Sequence, residues 1–103
     1  MFLLDFKKPG GWFNPRVEPF GDLSINPAAM ALHYGQEIFE GLKAYYGKDG
    51  GFYLFRAEEN FKRFNRSAAR LSMPEMDIDI VMEGMKQLIL LDKEWVPRTQ
   101  GSG

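Results

Sequence analysis

At 103 residues, with 45% hydrophobic, 15% aromatic and 26% charged positions, the chain has the length of one domain and the composition of a packed protein, which excludes a disordered segment. Thirteen basic against fourteen acidic side chains leave a net charge of -1, so no global field steers the protein onto nucleic acid or an anionic membrane, and any anion site is local. The lack of cysteine excludes disulfides and thiolate chemistry, and a single histidine argues against a zinc site. No apolar run reaches the roughly 20 residues of a bilayer span, and "MFLLDFKK" is too short and too quickly acidic for a signal peptide. A cytoplasmic protein with no nucleic-acid and no membrane partner is therefore expected.

In chain order, "MFLLDF" reads as a strand, "KKPGGW" as a turn and "RVEPF" as a second short strand. In "GDLSINPAAMALHYGQEIF", Asn26 stands as cap and Pro27 as first helical residue, which predicts helical turns running toward Phe39. "GLKAYYG" and "GFYLFR" flank "KDGG", an Asp-Gly hairpin signal. From Ala57 to Met73, Phe61, Phe64, Ala68 and Leu71 recur at helical spacing and form one apolar stripe that Pro74 stops. A last helix is predicted after Asp77 with Val81, Met82, Met85, Leu88 and Ile89 on its buried face, although Gly84 weakens it by about 1 kcal/mol relative to alanine. The order predicts an α+β fold, a small two-layer domain with a largely antiparallel sheet and helices packed on one face. One domain over residues 1–103 is expected, and the polar, Gly-rich "TQGSG" reads as a loop cut partway.

The densest stretch is "LHYGQEIFEGLKAYYG", residues 32–47. Gly35 interrupts its helical part and Gly41 sits where it passes into the hairpin, positions that suit a sharp turn or a ligand approaching the main chain. His33 has no partner ligands at metal spacing, so a structural, hydrogen-bonded role is expected of it. Glu37 and Glu40 are spaced as an acid/base pair would be, but solvated or capping carboxylates have the same spacing. Tyr34, Tyr45 and Tyr46 read equally as core and sheet aromatics. Arg56, Lys62, Arg63, Arg66 and Arg70, interleaved with phenylalanines, form either a solvated helix face or an anion-binding patch.

Taken as one string, "LHYGQEIFEGLKAYYGKDGGFYLFRAEENFKRFNRSAARLSMP" resembles the small N-terminal domain of branched-chain-amino-acid aminotransferases, the fold-type IV enzymes that use pyridoxal 5'-phosphate. The likeness extends through "GGWFNPRVEPFGDLSINPAAM" to "LLDKEWVPRTQGSG" and so covers nearly the whole chain. The wording "HYGQEIFEGLKAY" favours the branched-chain group over D-amino-acid aminotransferases and aminodeoxychorismate lyases, the alternatives of the same fold.

The resemblance implies transfer of an amino group between leucine, isoleucine or valine and 2-oxoglutarate, a small-molecule amino acid and 2-oxo acid as partners, and a homodimer. It places Arg63 at the cofactor phosphate, Phe39 and Gly41 along the substrate pocket, and Tyr34 where one subunit reaches into its neighbour's substrate site. It assigns no catalytic residue here, because the family's cofactor-linking lysine and the glutamate at the pyridine nitrogen belong to a large C-terminal domain; Lys43 and the other lysines do not match that position. A partial, inactive small domain is thus expected, starting after the family's usual beginning. A non-catalytic interaction module that keeps the shape and uses the basic helix is the rival class.

Overall fold

A computed structural model describes residues 1–99. Phe2–Lys7 (β1) and Gly11–Val17 (β2) pair as an antiparallel ribbon, joined by the Pro-Gly turn. The predicted second strand, "RVEPF", lies too late: the turn uses only residues 8–10, so Gly11 and Trp12 already pair with Lys7 and Phe6, and the strand ends at Val17. Pro15 is tolerated because β2 has only one hydrogen-bonded neighbour. A register shift between Leu3 and Asp5 accommodates Asn14 at φ 56°. Arg16 bridges Asp5 and Glu18, each at 2.8 Å, and Phe6 meets the Trp12 ring edge-on at 5.2 Å.

The expected helix toward Phe39 is much shorter, Met30–Tyr34 (α1). Asn26 does cap, but it caps a turn, its Oδ1 accepting from the Ala28 N–H at 2.8 Å. Gly35 then adopts φ 61°, ψ 29°, a left-handed conformation that ends the helix and that a residue with a Cβ adopts at a cost. Residues 35–43 continue without regular structure.

Ala44–Tyr46 (β3) and Phe52–Leu54 (β4) form the predicted hairpin, with Tyr45 opposite Tyr53. Asp49 closes its turn by accepting from the Gly51 N–H at 2.9 Å and from the Tyr53 hydroxyl. The two sheets stay separate, each of two strands.

Ala57–Arg70 (α2) ends three residues before the predicted Met73. Its carbonyls at Ala69 and Ala68 accept from the N–H groups of Ser72 and Met73, at 3.2 and 2.8 Å, with Ser72 at φ 56°. This is a Schellman stop with serine where glycine is usual, followed by Pro74. The Asn65 side chain then bonds both backbone groups of Met76, each at 3.0 Å, while Trp12 Nε1 donates to the Glu75 carbonyl at 2.7 Å. These bonds fix the link to Ile78–Leu91 (α3), which starts after Asp77 as predicted; Asp77 caps it by accepting from Asp79 and Ile80. A 3-10 turn, Lys93–Trp95, follows.

α3 packs against β1, β2 and α2 and is the element that joins the layers of this α+β domain. Ala57, Ala68 and Val81 are buried, as is Gly84. Of the expected apolar faces, Phe61, Phe64, Met82, Met85, Leu88 and Ile89 are half-buried, and Leu71 is exposed because the helix has already ended. Gly84 has a packing reason: a Cβ there would lie 2.4–2.6 Å from the Phe2 ring, so the missing side chain admits that ring against the helix backbone.

Candidate functional site

Residues 35–41 lie along α2 and are pinned to it at two places. Toward the helix's end, Gln36 Nε2 donates to the Leu71 carbonyl at 2.8 Å. Nearer its start, Asn60 and Arg63, three apart and so on one helix face, take hold of Glu40 and Gly41. Asn60 Nδ2 donates to the Gly41 carbonyl at 2.7 Å and to Glu40 Oε1 at 3.2 Å. The Gly41 N–H donates to Glu40 Oε1 at 3.1 Å. Arg63 approaches the same carboxylate side-on, Nε reaching Oε2 at 2.8 Å and Nη2 reaching Oε1. This paired, charge-assisted geometry fixes the plane of the guanidinium. Among the described residues, Nη1 makes no hydrogen bond.

Burial is unequal across the pair: the Glu40 side chain is 12% exposed and that of Arg63 is 59% exposed. The Arg63 hydrogen bond pulls the Glu40 carboxyl from its ordinary 4.5 down to about 2, against a smaller upward push from desolvation. The same bond raises the Arg63 guanidinium above its ordinary value. Glu40 is therefore a carboxylate across the neutral range, holding the inner edge of a cation whose outer edge faces solvent.

Of the four residues singled out for the site, the structure brings Gly41 and Arg63 together through Glu40. Phe39, one residue before the clamp, is 91% exposed, and Tyr34 at the end of α1 is 78% exposed. Neither has a ring contact or side-chain hydrogen bond among the described residues. A Cβ added at Gly41 would meet nothing within 4 Å, so the space beside this backbone is open. His33 is structural, as expected: its Nε2 lies 2.6 Å from the Pro27 carbonyl and donates to it, folding α1 back on the turn before it.

Sequence reasoning missed Asn60 and, although it singled out Glu40, missed that residue's partners. The spacing of Glu40 pointed to Glu37, three residues away, whereas its partners lie 20 and 23 residues on, across the whole hairpin. An acidic residue next to a glycine and a later Asn-x-x-Arg on a helix was the available signal. On the basic helix, Lys62 pairs with Glu58 and Glu59 at 3.1 and 3.2 Å, so part of its charge is met locally.

Two open clefts, of about 530 and 420 Å³, lie between the β1–β2 ribbon and α3, and none of Tyr34, Phe39, Gly41 and Arg63 lines either. Among the described residues, the candidate site is an open wall. Among the described residues no group of side chains is arranged to hold a metal, and no helix is long and apolar enough to cross a membrane.

No family model matches the chain. It is 48% identical over 102 residues to the branched-chain-amino-acid aminotransferase 2 of Bacillus subtilis (strain 168), covering 99% of this chain and 28% of that protein. Curated homologues of this chain carry the name branched-chain-amino-acid aminotransferase. The branched-chain-amino-acid transaminase 1 of the same organism is 46% identical over 102 residues, 99% of this chain and 29% of the relative. A probable branched-chain-amino-acid aminotransferase of Staphylococcus aureus (strain MRSA252) is 50% identical over 101 residues, 98% and 28% respectively. The chain thus spans a little over a quarter of the length of the curated aminotransferases it matches.

Proposed function

We propose that these residues are the small domain of a longer polypeptide that exchanges an amino group between branched-chain L-amino acids and 2-oxoglutarate, working with pyridoxal 5'-phosphate as a cytoplasmic homodimer. The observation that carries the proposal is likeness to proteins of that name along nearly the entire chain. The clamp of Arg63, Glu40 and Gly41 is consistent with it, since it joins the residues that the resemblance assigns to cofactor and to substrate. None of these observations favours a D-amino-acid aminotransferase, an aminodeoxychorismate lyase or a non-catalytic module.

The residues present fit a phosphate dianion at one edge: Arg63 offers an oriented, exposed guanidinium with Nη1 unused among the described residues. When bound, the cofactor acts as the electron sink for bond changes at the amino acid's α-carbon. The work of this chain is orientation. Arg63 holds the phosphate, Gly41 leaves room for the substrate beside its backbone, and Phe39 offers an apolar ring suited to an aliphatic side chain. In this reading Tyr34, which is exposed, meets a second subunit. Residues that move protons are supplied by the remainder of the polypeptide, and the 103 residues alone do not transaminate.

Absorbance titration of the full-length protein with pyridoxal 5'-phosphate tests the cofactor assignment. Arg63→Ala should weaken binding roughly tenfold to a hundredfold, as expected for lost hydrogen bonds to a charged group. Equal affinity in variant and parent would remove Arg63 from the phosphate site.

A further inference from the structure

We infer that Glu40 is a positioning residue that sets the direction of the Arg63 guanidinium toward the cofactor phosphate and locks the substrate-side backbone at Gly41 to the same helix. The inference rests on the cofactor reading proposed above and extends it to a residue with no contact to the phosphate itself.

The geometry excludes a simple surface ion pair. Such pairs join two solvated, mobile side chains and contribute little. Here the carboxylate is largely covered, and four donors converge on it: Arg63 Nε and Nη2, Asn60 Nδ2 and the Gly41 N–H. An arginine has several rotatable bonds, and ordering it at the moment of anion binding would subtract from affinity. With Nε and Nη2 occupied, the freedom is already removed, and Nη1 and the outer Nη2 hydrogen remain for an incoming oxyanion.

One opposing effect decides the sign of the test. Glu40 also cancels part of the Arg63 charge, so if charge alone mattered, its removal would strengthen anion binding. Alignment is the larger effect here because the exposed outer edge of Arg63 is screened by water, which weakens long-range repulsion between a phosphate and the carboxylate behind the guanidinium.

The experiment compares affinities of the full-length protein for pyridoxal 5'-phosphate and for pyridoxal, which lacks the phosphate, in the parent, Glu40→Gln, Arg63→Ala and the double variant. Glutamine keeps the size of the side chain but turns an amide N–H toward an arginine N–H. Glu40→Gln should lower the ratio of the two affinities roughly tenfold, the scale on which partners that orient a binding group act. Affinity for pyridoxal itself should stay constant, and in the Arg63→Ala background the substitution should have no further effect on the ratio. A role confined to folding would instead lower thermal stability and weaken both ligands equally, which would overturn the inference. An unchanged or increased ratio in Glu40→Gln would overturn it as well. If Arg63→Ala leaves the ratio unaltered, the phosphate assignment itself fails; if only Glu40→Gln is silent, the assignment stands and the positioning role falls.

Discussion

Glycine at 84, in the middle of α3, is a residue whose intrinsic cost predicts the wrong direction for its replacement. Helix propensity alone favours alanine there by about 1 kcal/mol. The Phe2 ring, at 2.4–2.6 Å from where the new Cβ would lie, reverses this: a rigid ring must leave its place against the helix. Gly84→Ala should therefore destabilise the protein in denaturant unfolding, whereas in a Phe2→Ala background the same substitution should stabilise it. Gly41 behaves oppositely. With nothing within 4 Å of its added Cβ and no left-handed φ, Gly41→Ala should leave stability unchanged and raise KM for branched-chain amino acids in the full-length protein. Glu40 carries a pH signature. Its folded-state value, about 2, lies below its ordinary 4.5, so its contribution to stability is complete above 4.5 and disappears as the pH falls toward 2. Glu40→Gln should flatten the loss of unfolding free energy across that window, measured by urea titrations above and within it. From the sequence, the resemblance singled out Arg63 and Gly41, whereas the link between them through Glu40 was not legible, because a contact across 23 residues leaves no local spacing to read.

At the level of elements, the two helices and the second hairpin follow from periodicity and turn residues, and the boundaries that shifted did so for local reasons. β2 begins early because a three-residue turn leaves no slack, and α1 is short because Gly35 ends it. α2 stops at Arg70 through a backbone motif that usually uses glycine, so the sequence, with serine at the key position, gave no signal before Pro74. Ser72 at φ 56° is strained relative to glycine. Ser72→Gly should raise stability by ~0.5 to 1 kcal/mol, offset in part by the greater freedom of glycine in the unfolded chain. A denaturation midpoint unchanged or lowered by that substitution would mean the left-handed turn is held without strain.

Across the whole molecule, the radius of gyration is 15.5 Å and the longest extent 46 Å, against about 13 Å expected for a compact chain of this length. Few side chains are buried, while Phe20, Phe39, Phe55, Leu90, Leu91 and Trp95 are exposed. Apolar surface on this scale tends to find a partner. The isolated 103 residues should self-associate, most simply as a dimer, and light scattering over a dilution series should show the mass rising with concentration. A constant monomer mass would mean that this surface is tolerated in water. The measurement that bears most directly on the function is turnover by the full-length protein, offered L-leucine with 2-oxoglutarate, D-alanine with 2-oxoglutarate, or aminodeoxychorismate alone. Glutamate should form fastest from L-leucine and its branched-chain analogues. Faster reaction of D-alanine, or cleavage of aminodeoxychorismate without transfer from L-leucine, would contradict the assignment.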